Sequence, residues 1–119
     1  MYLIFLVKKN LKNNIIMACK RSIKTGILQT IKNNDIVIFT LSYCPFCNST
    51  KNTLANVKNF CLDIDKIPGT AIQTQFRDIL SEICNGHKTF PKIFIRGVFI
   101  GGNSDLQEKI RKKELIFTY

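Results

Sequence analysis

The order of periodicities along this chain predicts an α/β domain, a four-stranded mixed β-sheet flanked by helices on both faces. Three stretches carry that expectation. "DIVIFTL" (residues 35–41) is an unbroken β-branched and aromatic run between turn residues, the pattern of a central strand buried on both faces. A helix and a second strand follow it, and such a unit implies a parallel pair joined by a right-handed crossover. "KIFIRGVFIGG" (residues 92–102) gives two short apolar runs around Arg96 and Gly97, a β-hairpin.

The elements follow in order. Ile23, Ile27, Leu28 and Ile31 fall at helical spacing, so a short amphipathic helix over residues 22–31 ends at "KNND" (32–35), with Gly26 as its weak point. After the 35–41 strand, Thr50, Leu54 and Val57 share one side of a helix expected from Pro45 to about Lys58. "NFCLDID" (59–65) alternates Phe60, Leu62 and Ile64 with polar or small residues and reads as the second strand. Ile72, Phe76, Ile79, Leu80 and Ile83 mark a helix over 70–84, stopped by Asn85 and Gly86. Beyond the hairpin, a last helix starts near Ser104 and turns Leu106, Ile110 and Leu115 inward, leaving Lys109, Arg111, Lys112 and Lys113 solvated.

With 119 residues, 45% hydrophobic and 22% charged, the chain has length for one compact domain and an appendage. Its net charge of +10 is unevenly placed, since residues 1–34 hold seven Lys or Arg and no acid. The segment lacks the arginines and interleaved aromatics of a nucleic-acid arm, so no nucleic-acid partner is expected. "MYLIFLV" is too short to span a bilayer and no longer apolar run occurs, so no membrane partner is expected either. Residues 1–20 are read as a basic extension or a presequence. The absence of acids through residue 34 fits a mitochondrial presequence, whereas a single Arg (Arg21) and few Ser over that stretch fit it poorly. Met17 begins "MACKRS", so the first sixteen residues are also read as an optional extension. Five irregularly spaced cysteines (Cys19, Cys44, Cys47, Cys61 and Cys84) do not form a secreted disulfide framework, which favours a reducing compartment.

The chemistry concentrates in "SYCPFC" (residues 42–47), where the first strand hands over to a helix. The nucleophile of thiol chemistry is the thiolate. Unpaired N–H groups and the positive end of the macrodipole at a helix N-terminus stabilise such an anion. Cys44 takes that place just ahead of Pro45, whose missing donor costs nothing at the first helical position. Cys47, one turn on, is within disulfide reach, so the spacing suits attack by Cys44 and resolution by Cys47. A structural zinc site needs a second Cys or His pair, and neither Cys61, Cys84 nor the single histidine, His87, supplies one, so no metal is expected. Cys61 and Cys84 stand in apolar patterns and are expected in the core.

Three separated motifs resemble a dithiol glutaredoxin, and the likeness runs from about Ser22 to Leu115. They are "CPFC", "TFPKIFI" (89–95), similar to the family's Thr-Val-Pro segment with its cis proline, and "GGNSDL" (101–106), similar to its glycine pair and acidic turn. The resemblance implies a thioredoxin fold over residues 21–119, with Cys44 and Cys47 catalytic. It further implies glutathione contacts from Tyr43, Phe46, Lys88, Phe90, Pro91, Gly102, Asn103, Ser104 and Asp105. Physical reasons accompany these assignments: Phe90 offers a free backbone edge to an extended peptide, glycines allow close approach, and the helix start offers N–H groups to a carboxylate. Two departures stand out. The family usually carries Lys where Leu41 stands here, and Gln-Arg where His87 and Lys88 stand.

The implied activity is glutathione-dependent reduction of protein disulfides and of protein–glutathione mixed disulfides, with glutathione as cosubstrate and a monomeric enzyme. The cytoplasm is the expected compartment, or the mitochondrion if residues 1–20 act as a presequence. The rival reading is a dimeric module holding a [2Fe–2S] cluster through Cys44 and glutathione, although proline after the first Cys usually goes with the redox role. A thioredoxin-like reductase served by a flavoenzyme would carry Trp-Cys-Gly-Pro-Cys, which is absent.

Overall fold

The computed structural model describes residues 12–115, with side chains from Lys20 onward. Helix α1 (Lys12–Asn33) leads into strand β1 (Ile36–Thr40), helix α2 (Pro45–Thr53) and strand β2 (Phe60–Asp63). A 3-10 turn (Ile64–Lys66) precedes helix α3 (Thr70–Ile83), and the hairpin β3 (Lys92–Ile95) and β4 (Val98–Gly101) leads to helix α4 (Asn103–Arg111). The four strands form one mixed sheet in the order β2-β1-β3-β4. β1 pairs parallel with β2 through Val37 and Phe60, and antiparallel with β3 through Val37 and Phe94. The expected four-stranded mixed sheet with helices on both faces is what forms.

Each face of the sheet closes a separate core. Val37, Phe39 and Phe94 pack with Ile27 and Ile31 of α1 and Ile79 and Leu80 of α3. Ile36, Ile38, Ile93 and Ile95 face the other way, against Leu54 after α2 and Leu106 of α4. The alternation is the period of two that a strand imposes. All five residues of β1 are buried, as a central strand between two helical layers requires. Burying each large aliphatic side chain contributes about 1.5–3 kcal/mol, and the two cores sum many such terms.

Several boundaries differ from the expectation. α1 starts ten residues before Ser22, at Lys12. α2 stops at Thr53 instead of continuing to Lys58, because the Asn59 amide donates to the carbonyls of Leu54 (3.0 Å) and Val57 (2.8 Å) and ends the helix. β2 stops at Asp63, and Ile64 buries itself from the 3-10 turn. The hairpin turn carries positive φ at both Arg96 (50°) and Gly97 (83°), the twist-matched geometry for a two-residue connection. α3 ends as expected, with Asn85 and Gly86 both at positive φ and the Gly86 N–H bonded to the Ser81 carbonyl at 2.7 Å.

Candidate functional site

β1 delivers the chain through Leu41 into a tight turn closed by the Cys44 N–H on the Leu41 carbonyl at 3.2 Å. The turn is tied down from the side by Asp65, whose carboxylate accepts the Ser42 N–H at 2.8 Å and the Ser42 hydroxyl. Those two bonds hold the Asp65 carboxyl below its ordinary range. Cys44 is the N-cap of α2, in extended backbone (φ −91°, ψ 121°) with Pro45 in the first turn. Its sulfur accepts the Cys47 N–H at 3.4 Å, and its thiol lies 3.7 Å from the Phe90 carbonyl. A side chain that caps a helix N-terminus sits at the positive end of the macrodipole, where an anion is stabilised.

Cys47 has the opposite environment. It is fully buried, and desolvation pushes its thiol up to about 12, although the Leu41 N–H points at its sulfur from 3.5 Å. One sulfur thus caps the helix beside the groove, and the other is held behind it, out of solvent. The flanking aromatics Tyr43 and Phe46 are exposed.

Cys44 opens into a groove of about 610 Å³ walled by Leu41, Tyr43, Arg77, Lys88, Phe90 and Lys92, with Asp78 also present. A second hollow of about 300 Å³ shares Thr89 and Phe90 with it and is lined by Phe46, Pro91, Gly102, Asn103, Ser104 and Asp105. Of the site residues singled out in the sequence, all but the buried Cys47 therefore line two adjoining hollows about Phe90. The Phe90–Pro91 peptide is cis, in line with the resemblance.

Not every motif residue turns its side chain to the hollow. The Asn103 amide oxygen accepts the Thr50 hydroxyl of α2 at 2.9 Å, and its nitrogen lies 3.5 Å from the Ser49 hydroxyl, so the side chain ties α4 to α2. The Asp105 carboxylate accepts the Gly102 N–H at 3.0 Å and caps α4. Gly101 has φ of 112°, and a Cβ there would run into that carboxylate. Leu41, where a Lys was expected from the resemblance, is buried in the sheet core.

The groove also recruits residues the sequence reading passed over. Arg77 comes from mid-α3 and Lys92 from the start of β3, and their approach to Cys44 depends on sheet order. A hint lay in the helical wheel, since Arg77 follows the inward-facing Phe76. Cys84 is buried as expected, its thiol pushed up to about 11 by desolvation. Cys61 is exposed instead, because β2 is an edge strand; its sulfur lies 3.6 Å from the Thr40 hydroxyl. Among the described residues no group of three His, Cys, Asp or Glu side chains gathers to hold a metal.

The family model "Glutaredoxin" matches residues 36–100. Glutaredoxin-2 of Schizosaccharomyces pombe is 38% identical over 88 residues, covering 71% of this chain and 76% of that protein. Glutaredoxin-1 of Saccharomyces cerevisiae is 35% identical over 106 residues, 83% of this chain and 91% of the relative. The mitochondrial Glutaredoxin-2 of Bos taurus is 34% identical over 92 residues, which cover 76% of this chain and 56% of the cattle protein. Among solved structures, the dithiolic glutaredoxin of Trypanosoma brucei brucei superposes with a TM-score of 0.67 at 32% identity, over 75% of this chain and 90% of that one. The buckwheat glutaredoxin–glutathione complex shares the fold, with a TM-score of 0.73 at 23% identity over 82% and 86% of the two chains.

Proposed function

The chain belongs to the glutaredoxin family of thioredoxin-fold thiol–disulfide oxidoreductases, and we propose that it reduces protein–glutathione mixed disulfides and protein disulfides with glutathione as cosubstrate. The observation that carries this reading is the contrast at the head of α2. The Cys44 sulfur caps the helix and opens into a cationic groove, while the Cys47 sulfur is buried.

In the proposed cycle the Cys44 thiolate attacks the glutathione sulfur of a mixed disulfide. The old S–S bond breaks, the substrate protein leaves as a thiolate that takes up a proton, and Cys44 is left disulfide-bonded to glutathione. A second glutathione thiolate attacks the bound glutathione sulfur, releasing glutathione disulfide and the Cys44 thiolate. With a protein disulfide, Cys47 instead attacks the Cys44 sulfur and expels the reduced protein, and two glutathiones then reduce the Cys44–Cys47 bond. Lys88 and the backbone beside Phe90 and Pro91 would hold one end of glutathione, and the α4 start at Gly102, Asn103, Ser104 and Asp105 the other. Tyr43 in the wall of the groove and Phe46 in the adjoining hollow would flank the bound glutathione.

The test is glutathione-dependent reduction of a small mixed disulfide, coupled to glutathione reductase and NADPH. Cys44→Ser should abolish turnover, and Cys47→Ser should keep it while losing reduction of a protein disulfide. Full turnover by Cys44→Ser would overturn the mechanism. Absence of turnover in the intact chain, together with visible absorbance after anaerobic reconstitution with iron and sulfide, would favour the cluster-binding alternative. A fusion of residues 1–20 to a reporter protein, followed to its compartment, tests the presequence reading.

A further inference from the structure

Lys92 is the only charged side chain buried among the described residues, at 1% exposure. An ammonium carries three donors. One goes to the His87 carbonyl, and none of the ion pairs among the described residues includes Lys92. Its Nζ lies 5.0 Å from the centre of the Phe90 ring, and the Arg77 guanidinium carbon lies 5.8 Å from the same centre. Phe90 is the residue whose carbonyl meets the Cys44 thiol at 3.7 Å, and all four residues wall the same groove.

A buried ammonium with a single carbonyl and an aromatic face for company is costly, because desolvation disfavours its charge. An apolar side chain of the same length would fill the space beside buried Cys84 without that cost. The arrangement makes sense where an anion arrives to complete it. Arg77 and Lys88 add positive charge nearer solvent and exposed Asp78 offsets part of it, but charges in contact with solvent are screened far more than a buried one.

We propose that Lys92 is a specificity-determining residue, a buried cation in the wall of the Cys44 groove that selects disulfides whose thiol half bears a carboxylate. The inference rests on Cys44 being the nucleophile. It also supplies what Leu41 cannot: the β1–α2 turn brings no cation to the groove, and β3 brings one from the other side.

The experiment uses two forms of one peptide, its cysteine disulfide-bonded either to glutathione or to neutral 2-mercaptoethanol, and follows release of the peptide thiol by the reduced full-length protein. The wild type should favour the glutathionyl form, and part of that preference should survive 1 M NaCl. Lys92→Met should lose about tenfold in rate on the glutathionyl peptide, the scale of one charge contact, and no more than about twofold on the neutral one. Lys92→Arg should recover most of the loss. Equal losses on both peptides would mean that Lys92 only supports the fold, and would overturn the inference while leaving the Cys44 mechanism standing. A wild type with no preference between the peptides would overturn it without any variant. A wild type that releases neither peptide would overturn the mechanism and the inference together.

Discussion

The Cys44 sulfur accepts the Cys47 backbone N–H at 3.4 Å, so the helix that the first cysteine caps also carries the second cysteine into the core. One local structure gives two identical side chains different chemistry. Iodoacetamide titration at pH 7 followed by mass spectrometry should therefore label Cys44 before Cys47. Cys47 and Cys84, both buried with thiols pushed up to about 12 and about 11, should stay unlabelled until the fold opens. Labelling of Cys47 ahead of Cys44 would reverse the assignment of roles.

Asp63 accepts the buried Thr40 hydroxyl at 2.5 Å and the Lys51 ammonium at 2.8 Å. Burial opposes ionisation of this carboxyl, but the bonds from Lys51 and Thr40 outweigh it and hold the group below its ordinary value. A depressed folded pKa contributes stability above the unfolded value of about 3.9, and that stability is lost as pH falls through the folded pKa. Asp63→Asn should cost about 1–2 kcal/mol at pH 7. The gap to wild type in urea midpoints should narrow below about pH 4, and a gap independent of pH would show that the ionised form is not what matters.

Gly101→Ala should destabilise the protein by about 1–3 kcal/mol, because φ of 112° disfavours any Cβ and the Asp105 carboxylate occupies its space. Displacing that carboxylate also removes the cap on the Gly102 N–H. KM for glutathione should therefore rise along with the fall in Tm. A variant with unchanged Tm would mean that the α4 start yields freely.

Thr50 and Asn103 share one hydrogen bond between α2 and α4. Thr50→Val and Asn103→Ala should each cost about 1 kcal/mol. The double variant should cost less than the two together, since the second change removes a bond already broken. Strict additivity in denaturant titrations would show that the bond contributes nothing.

The legible part of this protein was local. A β-branched run, a cysteine before a helix-starting proline, Asn85 and Gly86 after a helix, and an Arg-Gly hairpin turn each state their conformation within a few residues, because dihedral preference and capping are short-range. The parallel β1–β2 pair and the antiparallel β3–β4 pair followed from the strand–helix–strand unit and the hairpin, whereas the β1–β3 pairing that orders the sheet is long-range. Motif spacing then singled out residues that converge about Phe90.

Long-range placement was illegible for a physical reason: burial and electrostatics depend on what other segments bring. Cys61 reads like a core residue until β2 proves to be an edge, and the helix before Lys58 is cut short by an amide five residues beyond Leu54. Asn103 reads as part of a ligand-facing turn, and its bond to Thr50 of α2 comes to light only in the tertiary structure. Lys92 reads as a charge beside a strand and becomes a buried cation only when α3, the 87–90 loop and β3 close around it. Local sequence sets what each segment can be, and packing sets which charges lose their water.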